Sequence, residues 1–290
     1  MQPLNKKIDF AVVLSVRNAN PNGDPLNGNR PRQNYEGKGE ISDVCLKRKI
    51  RNRLQDMGES ILVQSDDRRT DSFRSIKDRV EANADAQEFM KGKKKNAELF
   101  AKAACESWID VRSFGQVFAF PGSNDAVSIG VRGPVSLHTA VSLDPIDISS
   151  LQITKSVNLT TSNDPDKRGS DTMGMKHRVD FGVYVTKGSI NVQLAERTGF
   201  TYEDALKIRE ALISLFENDT SSARPDGSME VHRVYWWEHG SKLGQYSSAK
   251  VHRSLEISWR EGVVAPNKFD DYVIKVEPLE GLDVQEYAGL

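Results

Sequence analysis

Residues 8–32 read IDFAVVLSVRNANPNGDPLNGNRPR, a short apolar run that passes straight into a polar loop punctuated by Gly and Pro. The first part, Ile8 to Arg17, is bounded by turn signals and suits a strand buried on both faces or nearly so. The second part holds Asn18, Asn20, Asn22, Asn27 and Asn29 among Pro21, Pro25, Pro31, Gly23 and Gly28. Asn and Gly accept left-handed backbone and Pro fixes φ, so the loop is expected to hold a set shape. It ends in Arg30 and Arg32. A rigid strand that delivers amides and guanidinium groups is a device for holding phosphates and sugars. The expectation is a chain that binds nucleic acid along its backbone.

Downstream, Ser42 or Asp43 can cap a helix that runs to about Met57 and stops at Gly58. Leu46, Ile50, Leu54 and Met57 recur at helical spacing, while Lys47, Arg48 and Arg51 lie on other faces. Such cations usually make a solvated face; their place after the Asn/Arg loop favours RNA contact.

The totals fit this picture only once charge is mapped. The 290 residues are 38% hydrophobic and 28% charged, which supports a globular core, and net charge is −1. From Gly28 to Arg53 there are eight Lys/Arg against three acids; from Phe269 to Leu290 there are six acids against Lys275 alone. Opposed ends permit head-to-tail contact between copies as well as RNA binding. Cys45 and Cys105 give neither a disulfide framework nor metal spacing. With no signal peptide and no apolar run long enough to span a membrane, a cytoplasmic protein is expected.

The rest of the chain divides by periodicity. Residues 60–95 are polar and helix-prone, with a KGKKK run at 91–95, and read as an insertion on a single domain covering 1–290. Leu99, Ala103, Ser107 and Asp110 suggest a helix, followed by the aromatics Phe114, Phe118 and Phe120 around Gly115. Arg112, Ser113 and Gln116 are the polar members able to face a ligand. Residues 127–143 read as strands, with His138 structural. Residues 178–194 read as a hairpin turning at Lys187-Gly188.

Between these β regions, 144–180 is long for a connection and reads as an extended β-arm. Val157, Leu159, Met173 and Met175 supply apolar tips; Lys155, Asn158, Lys167, Arg168, Lys176 and Arg178 supply charge and hydrogen bonds. Apolar wedges among basic groups suit insertion between stacked bases. Thr201 to Asn218 is a helix with a capping box from Thr201 and Asp204. Residues 231–240 and 249–259 read as strands, Trp236 and Trp237 facing opposite sides. His232, His239 and His252 do not match metal-ligand spacing. The order fits an α+β, β-α-β-β-α-β core of ferredoxin-like or RRM type, whose sheet commonly presents an RNA-binding surface.

NANPNGDP after the first strand, R-x-F-G-Q-V-F at 112–118, GPVSLH at 133–138 and QITKSVN at 152–158 together resemble the backbone subunit of type I CRISPR Cascade complexes, in the RAMP superfamily. The chain most resembles the type I-C member, in the same order over nearly its whole length. The resemblance implies a modified RRM core with helical inserts and a protruding β-hairpin thumb. It implies copies polymerised head to tail along the spacer of a CRISPR RNA, alongside other Cascade subunits. The thumb displaces one nucleotide at intervals, and the bases between pair with a target DNA strand. On this chain 144–180 becomes the thumb. Asn20, Asn22, Arg30 and Arg32 with Lys47, Arg48 and Arg51 become a phosphate cradle. Arg112, Ser113, Gln116, Lys155, Ser156, Asn158, Lys176, His177 and Arg178 become RNA neighbours. No cofactor, metal or catalytic residue is expected.

Two rivals stand beside it. Related type III backbone subunits cut RNA with an aspartate after the first strand, and Asp24 invites that comparison. Metal-assisted cleavage needs carboxylates at the scissile phosphate, however, and none follows Asp24 until Glu36; Asp-Pro commonly starts a turn. The other rival is a monomeric RRM-like RNA binder.

Overall fold

The computed structural model describes residues 2–89, 96–119, 128–154 and 173–290. The run that opens the sequence forms β1 (Ile8–Ala19), buried without a break from Ile8 to Val16, with only Arg17 and Asn18 exposed. Alternation sends Phe10, Val12, Leu14 and Val16 into one apolar cluster and Ala11 and Val13 into another. A loop with the short pair β2 (Gly23–Asp24) and β3 (Arg30–Pro31) follows, then β4 (Lys38–Ile41).

Helix α1 (Asp43–Asp56) starts at Ser42, whose hydroxyl accepts from the Cys45 amide, and buries Leu46, Ile50 and Leu54 as its spacing predicts. The next helices are α2 (Ile76–Ala82), α3 (Ala84–Glu88), α4 (Ala97–Ser107) and α5 (Ile109–Phe114). With β5 (Gly115–Phe118) and β6 (Ile129–Arg132) they enclose a separate apolar cluster that includes Leu62, Val80, Phe100, Trp108 and Phe118. This small core draws on residues well beyond the 60–95 stretch.

After β7 (Val135–Leu137), β8 (Ala140–Pro145) and β9 (Ile148–Thr154) comes β10 (Met173–Ile190). The expected turn at Lys187-Gly188 is absent: β10 continues through both residues and pairs with β1 from Ile8↔Ile190 to Ala19↔Val179. Gly188 serves close packing instead. A Cβ there would stand 2.2 Å from the Phe10 ring and 2.5 Å from the Ser136 carbonyl oxygen, so Gly marks a crowded strand position and not a turn.

Helix α6 (Val192–Thr198) leads to α7 (Tyr202–Ile213), which has the capping box between Thr201 and Asp204. β11 (Met229–Glu238) then returns to the sheet beside β1. The expected strand at 249–259 divides: α8 (Ser248–Arg253) is capped by the Ser247 hydroxyl, and only β12 (Leu255–Trp259) is extended. β12 pairs with β13 (Tyr272–Val276), and β14 (Val284–Ala288) joins β11.

The large antiparallel sheet has the order β14-β11-β1-β10-β8-β4, with β7 and β9 also on β10. One face packs on α1, α6 and α7 through Leu46, Ile50, Val192, Ile208 and Leu212. The other packs on α8 and the β12–β13 hairpin through Val251, Leu255 and Tyr272. Trp236 and Trp237 are both buried, one in each cluster. The sheet face expected to be open for RNA is thus roofed by the C-terminal segment over its central strands.

Beneath that roof lies a polar network. Asp9, fully buried, sits 3.0 Å from Lys7 Nζ and 2.8 Å from His239 Nε2, while His252 Nε2 is 3.0 Å from the Gly188 carbonyl oxygen. Burial raises the Asp9 carboxyl, but the hydrogen bonds from His239, Ser248 and Lys7 with the Lys7 charge outweigh it and leave the pKa lowered. Burial pulls the His252 imidazole below its ordinary 6.5. The unfolded chain therefore binds more protons than the folded one as pH falls through 6.5, and stability drops in that window. Melting temperatures measured between about pH 7.5 and about pH 5.5 should fall with pH, and less steeply in His252→Gln.

Candidate nucleic-acid interface

β10 changes partner at Val179, which pairs with Ala19 at the end of β1 and with Ile148 at the start of β9. Beyond that point β9 and β10 run on as a two-stranded arm to Thr154↔Met173, with Leu151, Ile153, Met173 and Met175 exposed. The polar loop leaves β1 at this same place.

The loop is pinned from within. Asn18, Gly28 and Asn29 have φ of 54°, 58° and 59°, the left-handed region that Asn and Gly accept. Asn20 Nδ2 donates to the Asn29 carbonyl oxygen at 2.7 Å, and a Cβ on Gly23 would lie 2.0 Å from Asn29 Oδ1. Asn22 Oδ1 accepts from the Ser42 amide at 2.9 Å, which ties the loop to the start of α1. Asp24 accepts from the Leu26 amide at 3.3 Å and lies 3.4 Å from Arg32, so it holds a turn and pairs a cation.

Loop and arm meet through a relay of hydrogen bonds. Arg30 Nη1 donates to Ser150 Oγ at 2.9 Å, and that oxygen is 2.8 Å from His177 Nδ1. Lys176 and Arg178 flank His177, opposite Leu151 and Ser149 on β9. Asn20 Oδ1, Arg32 Nε and Arg178 Nε are buried and have no hydrogen-bond partner. An unmet polar atom of this kind costs about 1–3 kcal/mol, so three of them around one loop and arm mark a place built for polar contact. Ser150, which the sequence does not single out, is legible as the residue opposite His177. Tyr35, fully exposed on a turn held by two backbone amides on Asn34 Oδ1, is signalled only by the Asn34–Gly37 spacing.

Most of the other nominated residues make contacts within the fold. Lys47 pairs with Asp43 at 3.1 Å, and Arg48 Nη1 donates to the Val63 carbonyl oxygen at 2.7 Å. Arg51 Nε is 3.0 Å from Asp110 Oδ2, and the two Asp110 oxygens also take the Leu62 and Val63 amides. Arg112 makes a two-pronged pair with Asp204 at 2.9 and 2.8 Å. Ser113 is fully buried, and its Oγ has no hydrogen-bond partner. Gln116, part-exposed on β5, donates to the Val117 carbonyl oxygen. Gly115 and Gly133 let the start of β5 and the residue after β6 touch backbone to backbone: a Cβ on Gly133 would be 2.3 Å from the Ser113 carbonyl oxygen. Lys155, Ser156 and Asn158 lie outside the described residues.

The profile of the family "CRISPR-associated protein Cas7" matches residues 6–277. The chain belongs to the Cas7 family. A Cas7 relative, the CRISPR-associated protein Cas7 of Haloferax volcanii, is 26% identical over 235 residues, covering 77% of this chain and 67% of that protein. Among solved structures, a chain of a "CRISPR RNA-guided surveillance complex, pre-nicking" is similar with a TM-score of 0.49 and 16% identity, over 80% of this chain and 78% of that one. A chain of a second "CRISPR RNA-guided surveillance complex" is similar with a TM-score of 0.45 and 15% identity, over 80% and 68%.

In this Cas7-family fold the Arg112–Asp204 pair joins α5 to the capped start of α7. Arg112→Ala strands a buried carboxylate and should lower unfolding free energy by about 3–5 kcal/mol, measured by urea titration. Unchanged stability with weakened RNA binding would instead return Arg112 to the interface.

Proposed function

We propose that this chain is a non-catalytic, CRISPR RNA-coating backbone subunit of a type I Cascade complex, of type I-C. Copies line up head to tail along the spacer and leave its bases free to pair with a target DNA strand, beside other Cascade subunits. The observation that carries the reading is the convergence of Asn20, Arg30, Arg32, His177 and Arg178 where the loop and the arm leave the sheet, with buried N–H and C=O groups unmet. Guanidinium groups on a pinned backbone suit phosphates and sugars, which carry no sequence information, so recognition belongs to the guide.

The architecture agrees with a modified RRM core. β1, β8, β10 and β11 with α1 and α7 follow the β-α-β-β-α-β order, and β11-β1-β10-β8 is the spatial order of that motif. In this reading the 60–95 stretch is a helical insertion on a single domain, and 144–180 is the thumb. The exposed Leu151, Ile153, Met173 and Met175 on the arm supply apolar surface for parting stacked bases. The residues that hold RNA are Asn20, Asn22, Arg30, Arg32, Lys176, His177 and Arg178, with Lys155, Ser156 and Asn158 further along the arm. A nuclease role for Asp24 is disfavoured by its commitment to Leu26 and Arg32.

The test is light scattering of the protein with RNAs of arbitrary sequence and increasing length, combined with salt-dependent binding. Particle mass should track RNA length. Arg32→Ala and Arg178→Ala should each weaken binding on every sequence and reduce the salt slope by about 1. A fixed one-to-one complex, or preference for one spacer sequence, would overturn the reading.

A further inference from the structure

The loop carries one more group beyond its arginines. Between β3 and β4 the chain turns through Gln33 to Lys38, and Tyr35 on this turn is wholly exposed, with both ring faces open to water. Among the described residues only Tyr35 and Trp259 are exposed aromatics, and the Trp259 indole N–H is committed to Asp144 at 3.0 Å. Apolar side chains scattered singly over a surface are ordinary. Tyr35 differs in how it is held and in what stands beside it.

The turn is fixed from within. Asn34 Oδ1 accepts from the Glu36 and Lys38 amides at 2.9 and 3.0 Å, and the Asn34 amide donates to the Lys38 carbonyl oxygen at 2.9 Å. Gly37 takes the left-handed φ of 75° that closes it. The backbone is therefore set before a ligand arrives, and only the two side-chain torsions of Tyr35 remain to be ordered. The turn is also fastened to the root of the arm. Gln33 Nε2 donates to the Ile146 carbonyl oxygen at 3.0 Å, and the Ile146 amide donates to the Gly37 carbonyl oxygen at 3.0 Å. Ile146 precedes by four residues Ser150, which takes the Arg30 guanidinium.

Arg32 is held as firmly: its amide donates to the Asn22 carbonyl oxygen at 3.2 Å, and its carbonyl takes the Glu40 amide at 2.9 Å. Tyr35 follows Arg32 by three residues, so their Cα atoms lie within about 11 Å. That is the rise of about three nucleotides in a stacked strand. Glu36, the acid next to Tyr35, is paired with Lys38 at 3.3 Å.

We infer that Tyr35 is a stacking residue, whose ring takes the face of a base in the strand whose phosphates the neighbouring guanidinium groups hold. Arg32 Nε lacks an acceptor and Asn20 Oδ1 lacks a donor. A ribose phosphate offers both, and an apolar protein patch offers neither. Every base has a π face, so the contact adds affinity without choosing sequence. It fixes one base relative to the backbone, which cations alone do not do. The inference deepens the reading of loop and arm as an RNA site and rests on it.

The experiment uses the full chain, an RNA that holds one copy, and an oligomer of the same ribose phosphates lacking every base, with anisotropy as the readout. Tyr35→Ala should weaken RNA binding about tenfold. Its melting temperature and salt slope should match those of the unaltered chain, because no phosphate contact is lost. Its affinity for the base-free oligomer should also be unchanged, and Tyr35→Phe, which keeps the ring, should restore RNA affinity. If the base-free oligomer binds too weakly to measure, the salt slope and the rescue by Tyr35→Phe decide. Equal RNA binding by Tyr35→Ala and the unaltered chain overturns the assignment, as does an equal loss on RNA and on the base-free oligomer. A loss seen only in particle mass on long RNA overturns it too, and makes Tyr35 a contact between copies. An unaltered chain that binds neither oligomer, or Arg32→Ala and Arg178→Ala that leave the salt slope unchanged, overturns the loop-and-arm reading itself.

Discussion

Val179 is the residue on which the layout depends, because its neighbours on the two sides of β10 change there. On one side the ladder with β1 ends; on the other the ladder with β9 begins. A strand cannot leave a sheet without exposing its unpaired N–H and C=O groups, and β9 supplies partners as soon as the main sheet stops. The arm is thus the same strand as the core, and its direction is set by the sheet. The polar loop starts at the matching end of β1. Loop and arm arise from one place because the β1–β10 ladder ends there.

Cations elsewhere in the chain illustrate a different constraint. Lys49, Arg51, Arg79 and Arg112 are largely buried, and each meets a carboxylate: Asp219, Asp110, Asp71 and Asp204. Three of these pairs join segments far apart in sequence, and each places charge where water is scarce, so geometry decides whether it holds. The basic helix after the loop is for this reason a fastening between the main sheet, α5 and the 214–230 segment. A run of Lys and Arg on a sequence does not distinguish a surface that awaits phosphate from one that is already neutralised by acids brought from a distance.

That contrast explains what could be read in advance. Local rules found β1, the Ser42 cap of α1 and the Thr201–Asp204 capping box, since each is encoded by residues within a few positions of one another. They misplaced Lys187-Gly188 as a turn, because the reason for Gly188 is the Phe10 ring on a strand nearly 180 residues away. They took 249–253 as strand because VHR between polar residues carries no helical period in so short a span. The same limit governs the site: Arg30 and Arg32 were visible from the loop, but the pairing of Arg51 and Arg112 depends on Asp110 and Asp204, partners that only tertiary structure brings near.

The unbroken course of β10 has a mechanical side. A pull on the arm along its own axis loads the β1–β10 ladder lengthwise, so that its eleven register pairs resist together in shear. A hairpin attached by a hinge would instead peel away bond by bond. With apolar layers packed on both faces, that ladder is also braced against sliding. The described part of the arm is accordingly rooted in the buried centre of the sheet, where a load along β10 passes into the β1–β10 ladder.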